Sequence, residues 1–161
     1  MEINRESDFD IDYNIKDVEL AQVRGCLILY LLDLMDFEYQ KRAWIKEGNN
    51  ISFHEEINYA EEMLFDDLDL RDYLEKKEMP YDRIGEFLKT KEEAEALYKV
   101  AEASWPMVTD CYTNDDYLTS AYLPKLHKAA REAFEAFMEN EKDNKEFCNF
   151  IEELKKKEGR K

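Results

Sequence analysis

Apolar residues follow two different periods along this chain, and the change comes early. From Asp8 to Lys16, Phe9, Ile11, Tyr13 and Ile15 alternate strictly with polar residues. A period of two puts all four on one side of an extended segment. Everything after it has helical spacing, so this segment has no obvious strand partner. Such an arm either lies across its own helices as an apolar strap or adds to a sheet edge of another protein. The strap is the expected form, because solitary arms usually dock on their own domain.

From Asp17 the period changes. Val18, Ala21, Ile28, Leu32 and Met35 recur at helical spacing, and Val23, Leu27, Leu29, Tyr30, Leu31 and Leu34 fill the other faces. The pattern predicts a helix over about 17–35 with Asp17 as its cap, apolar nearly all round and therefore central. A second helix is expected from Asp36 to Lys46, ending near Gly48. Ser52-x-x-Glu55 is a capping box opening a helix to about Phe65, and Leu68 to Lys77 makes a short helix that stops before Pro80. A shorter segment follows at Ile84–Leu88, and Thr90-x-x-Glu93 is a second capping box. The stripe Ala94, Leu97, Tyr98, Ala101 and Trp105 then runs to Pro106, which is expected to kink or end that helix. Asn114-Asp115-Asp116 reads as a turn, and Pro124 suits a first helical position. Asp143-x-x-Glu146 opens a last helix, whose end carries Lys155, Lys156 and Lys157 where the dipole favours cations.

The fold class expected is all-α: a single-domain bundle of about six or seven helices with an extended N-terminal arm. The arm covers residues 1–16, the helical domain 17–157 and a short basic tail 158–161. Only four glycines and three prolines occur in 161 residues, which argues against sandwiches, barrels and glycine-rich phosphate folds.

Composition adds a sign to this picture. There are 39 acidic residues against 23 basic ones, a formal charge of −16. Such a chain repels phosphate, so direct nucleic-acid binding and a basic membrane-surface face are both excluded as expectations. The longest apolar stretch, Cys26–Leu32, is too short to span a bilayer, and the first residues lack the layout of a secretory signal. Cys26, Cys111 and Cys148 are odd in number and lack zinc or disulfide spacing. The chain reads as reduced and cytoplasmic.

Candidate chemistry mostly falls away. His54-Glu55-Glu56-Ile57-Asn58 misses the second histidine of a zincin, and no Glu-x-x-His pair suits a di-iron site. Asp67-x-Asp69 starts like a calcium loop, but Arg71 and Asp72 stand where a ligand and a glycine belong. Cys111 or Cys148 beside His127 would make a nucleophile only with an oxyanion site as well, and a free cysteine in a helical domain is usually a small core residue. No catalytic residue, cofactor or metal site is expected, and the chain reads as a non-enzyme.

The charge is unevenly placed. Residues 1–80 carry a net −12, and Glu55–Glu78 alone holds ten acids and three bases, net −7. Like charges three or four apart on a helix cost ~0.2–0.5 kcal/mol per pair. A run of acids is first of all a solvated helix face. The sharper reading is a docking surface for a basic, toxin-like or nuclease-like protein, made by Glu55, Glu61, Glu62, Asp66, Asp67, Asp69 and Asp72. Phe65 and Tyr73 lie among these acids as candidate aromatic anchors. The same charge would also suit a phage-type anti-defence protein that mimics nucleic acid, or a helical protein with a structural role. Self-association into a homo-oligomer is compatible with either.

Glu38-Tyr39-Gln40-Lys41-Arg42-Ala43-Trp44, Leu64-Phe65-Asp66-Asp67, Ile84-Gly85 and Tyr117-Leu118 follow one another in an order that resembles a largely uncharacterised family of small acidic bacterial proteins, some of them immunity-protein-like. The resemblance covers about residues 27–138. It departs from the family at Leu123-Pro124, where Trp-Pro is expected. What it implies is a helical fold without established catalysis and, for the immunity-like members, a toxin as partner. Arg42 and Trp44 could pair with Asp66 or Asp67 as an internal clamp, a structural role at least as natural as a binding one.

Overall fold

The computed structural model describes residues 12–40, 62–110 and 119–159. Six α-helices lie among them: α1 (Ala21–Leu34), α2 (Phe37–Gln40), α3 (Leu70–Lys76), α4 (Lys91–Asp110), α5 (Leu123–Glu139) and α6 (Lys145–Lys157). A π-helical turn spans Glu62–Asp67 and a 3-10 turn Tyr81–Arg83. The only β feature among the described residues is an isolated bridge between Ile84 and Leu88. The chain is an all-α, single-domain helical fold.

Helix α1 is the centre, as its all-round apolar pattern requires. Every residue from Arg24 to Leu34 is buried. Its start differs from expectation. Asp17 does not cap it: Asp17 adopts a left-handed conformation (φ 68°), and the helix begins four residues later, after Leu20. The backbone there is held by the segment after the 3-10 turn instead, with Glu19 N–H donating to Gly85 O and Leu20 N–H to Glu86 O. Helix α5 packs against both α1 and α4. Ala129, Ala130 and Ala133 on α5, with Ala94, Ala101 and Ala103 on α4, supply small buried residues that allow close approach.

The remaining boundaries follow local chemistry. Asp36 caps α2, its carboxylate accepting from Tyr39 N–H at 3.0 Å. Helix α3 stops at Lys77, which takes a left-handed conformation before Pro80. The shorter segment at 84–88 is a turn, with Gly85 at φ 96°. Pro106 does not end α4, which continues to Asp110. Pro124 occupies the second rather than the first position of α5. The last helix is capped one residue later than the Asp143 box suggested, since Asn144 Oδ1 accepts from Phe147 N–H at 3.1 Å. The Ser52 box, the end of the second predicted helix near Gly48 and the Asn114 turn lie outside the described residues.

The described part of the arm is a strap on the domain itself. Tyr13 and Ile15 are buried, while Asp12, Asn14 and Lys16 are exposed, so the two-residue period is preserved without a strand partner. The Tyr13 ring meets Phe147 and Phe150 of α6 edge-on at 5.8 and 5.7 Å. Its opposite side rests on α1, where a Cβ on Gly25 would fall inside the ring. Gly25 is therefore required for the strap to lie flat. Phe9 and Ile11 lie outside the described residues.

Candidate functional site

The acidic segment is shaped by the π-helical turn. Its wider ring lets Met63, Leu64 and Phe65 all turn inward while Glu62, Asp66 and Asp67 stay exposed, and Leu68 N–H closes it onto Met63 O at 2.8 Å. Asp69 follows, exposed and left-handed (φ 55°), just before α3. No basic side chain among the described residues pairs with Glu62, Asp66, Asp67 or Asp69. Asp72 differs, because its carboxylate holds Lys76 at 3.0 Å, and the same helix pairs Arg71 with Glu75 at 3.2 Å. The free carboxylates thus form an edge from Glu62 to Asp69, narrower than the sequence suggested. Glu55, Glu61, Arg42 and Trp44 lie outside the described residues.

The two proposed aromatic anchors are placed otherwise than expected. Phe65 is a core residue, packed edge-on against Trp105 at 5.0 Å, and is not an exposed anchor. Arg71 lies over the other ring of that pair, 5.1 Å from the Trp105 centroid. Tyr73 is half-buried; its hydroxyl donates to Asp82 at 2.7 Å and accepts from Arg83 Nε at 3.1 Å. Burial, with the bond to Asp82, pushes its phenol above the ordinary value. Exposed apolar surface near this helix comes from the neighbouring loop, at Tyr81 and Ile84.

A second cluster is buried under α1. Arg24 is wholly buried and forks onto Glu93 of α4, with Nη1 to Oε1 at 2.7 Å and Nη2 to Oε2 at 2.8 Å. Its Nε donates to Glu141 Oε2 at 2.8 Å, and Nη1 also donates to Phe87 O at 3.0 Å. The guanidinium lies 4.9 Å from the centroid of Phe137. Glu93 accepts further bonds from Lys89 N–H at 2.8 Å and Asn140 Nδ2 at 2.7 Å, and Lys89 Nζ sits 2.8 Å from Glu141 Oε2. Two cations and two carboxylates make the cluster neutral. Such a pairing resists the loss of one member far more than it stabilises as a whole.

This cluster rewrites the second capping box. Thr90 Oγ1 accepts from Glu93 N–H at 3.2 Å as predicted, but the Glu93 carboxylate turns to Lys89 N–H and Arg24. Sequence reasoning passed over Arg24, although one signal was available. It is the only charged residue between Leu20 and Leu32, in a helix apolar on every side. A charge there must find a buried partner.

The cysteines and histidine contribute no side chain to the ion pairs of either cluster. Cys26 is buried, with Tyr13 Oη 3.7 Å from its sulfur, and Cys148 Sγ lies 3.3 Å from Glu141 O. His127 is half-buried on α5, its pKa lowered by burial and by Arg131 against an opposing pull from Asp36. Cys111 lies outside the described residues. Among the described residues, no group of three or more His, Cys, Asp or Glu side chains could hold a metal ion, and no helix is long and apolar enough to cross a membrane. No family model, no curated protein and no solved structure matches the chain.

Proposed function

We propose that this is a non-enzymatic acidic binding protein that neutralises a basic partner by covering its active or nucleic-acid-binding surface, the role an immunity protein plays against its toxin. The observation that carries this reading is the edge at Glu62, Asp66, Asp67 and Asp69, four exposed carboxylates that no cation among the described residues pairs with. Charges already paired within a helix have little left to offer a partner, whereas free ones steer a basic protein in and fix its register. Exposed Tyr81 and Ile84, on the loop that Arg83 ties to Leu68 O at 3.4 Å, place apolar contact beside the charge.

The test begins with co-purification at low salt, identification of the retained protein and remixing of the purified pair. The expected partner is basic and loses its own activity in the complex. Binding at about 0.05 M salt should weaken steeply by about 0.5 M. Asp66→Lys with Asp67→Lys should slow association without lowering Tm. A partner held equally well at both salt concentrations, or fully inhibited by the double variant, would rule out the electrostatic edge. A partner whose cleft normally holds nucleic acid would point to the mimic form of the same mechanism.

A further inference from the structure

The strap and the α5–α6 turn border an open polar cavity of about 440 Å³. Its lining includes Asn14, Lys16 and Asp17 from the strap, Lys89, and Glu141 and Asn144 from the turn. The volume falls in the ordinary range for small-ligand sites, but the walls are charged rather than apolar. Three lysines face four carboxylates around it. The strap is shaped to this opening. Asn14 and Asp17 are both left-handed (φ 55° and 68°), and Asn144 Nδ2 fastens the strap by donating to Asn14 O at 2.9 Å.

The floor carries the chemistry. Glu141 is only 2% exposed, and Arg24 Nε and Lys89 Nζ both bind the same oxygen, Oε2. Oε1 receives no hydrogen bond among the described residues, and Glu141 lines the cavity. Beside it, the Lys89 ammonium uses two of its three donors, on Glu141 Oε2 and on Asn140 O at 3.4 Å. An unbonded acceptor on Glu141 and a spare donor on the half-buried Lys89 therefore stand one carboxylate apart. A simple anion placed there meets Glu141, and a simple cation meets Lys89. A molecule carrying both charges on neighbouring atoms satisfies each.

We propose that this cavity binds a small zwitterion of the amino-acid class, its ammonium on Glu141 Oε1 and its carboxylate on Lys89 Nζ. The buried Arg24–Glu93 pair holds Glu141 in place, so the site is organised before the ligand arrives. The strap closes one wall, and ligand binding tightens it.

The test is an amide NMR titration of the full chain with each of the twenty amino acids, and with acetate and methylamine as half-ligands. At least one amino acid should shift the amides of residues 14–17, 89 and 140–146 saturably. It should bind roughly tenfold or more tighter than either half-ligand, a difference of ~1.4 kcal/mol. Lys89→Met should abolish these shifts. The half-ligand comparison is made on the unaltered chain, so it decides the matter however that variant folds. Acetate binding as tightly as the best amino acid would overturn the proposal, and so would twenty amino acids that leave those amides unmoved at millimolar concentration.

Discussion

Truncating Arg24 to Met would leave the buried carboxylates of Glu93 and Glu141 with Lys89 as the one cation of the cluster to answer them. Breaking a buried pair in this way costs ~3–5 kcal/mol, against well under that for the exposed Arg71–Glu75 pair. Urea unfolding of Arg24→Met beside Arg71→Met checks this; equal losses would mean the buried cluster is held by packing alone. His127 supplies a pH-dependent term. Its folded pKa lies below the ordinary 6.5, through burial first and Arg131 second. The unfolded chain therefore takes up that proton first. The stability tied to His127 is complete above about pH 6.5 and is lost as pH falls through the lower folded value. Across this window, Tm of His127→Gln should fall less steeply than that of the unaltered chain; parallel curves would assign the slope to other groups. At this scale the sequence was legible where chemistry is local, as at Thr90. Arg24 escaped because its partners lie 69 and 117 residues away.

Helix ends sort into two kinds. Where a side chain caps its own helix, pattern and structure agree to within a residue, as at Thr90 and at Asn144 beside the expected Asp143. The pair offers a direct comparison: Asn144→Ala should cost ~1 kcal/mol, while Asp143→Ala should stay within about 0.5 kcal/mol. Thermal unfolding of the two variants reads the difference, and a larger loss at Asp143 would return the cap to the predicted position. Where a distant segment sets the end, pattern reasoning misplaces it. Helix α1 starts at Ala21, not Asp17, because Gly85 O and Glu86 O take the N–H groups of Glu19 and Leu20. The π-helical turn is the other case. Phe65 sits among acids in sequence, but one extra residue in the ring rotates it inward against Trp105. Charge neighbours along a chain are not neighbours in exposure.

Taken as a whole, the molecule carries −16, and the buried charged residues among those described, Arg24, Asp33, Glu93 and Glu141, account for only −2 of it, so most of the excess lies where salt can reach it. Raising ionic strength from about 0.02 M to about 0.5 M should therefore raise Tm by relieving self-repulsion. A Tm that falls would show that exposed ion pairs outweigh the repulsion. The all-α class and the central place of α1 were legible because both rest on the period of apolar residues alone. The cavity was not, since its lining is gathered from residues 14–17, 89 and 140–146 and no local pattern links them. The same long reach has a consequence for how the molecule is made. Arg24 and Gly25 leave the ribosome before the residues that cover them, since Glu141 and Tyr13's neighbours Phe147 and Phe150 are added more than a hundred residues later. At ~5–20 residues per second, the most apolar helix waits on the order of ten seconds for its cover. During that interval the apolar faces of α1 lack the cover that α6 and the turn before it supply in the finished fold.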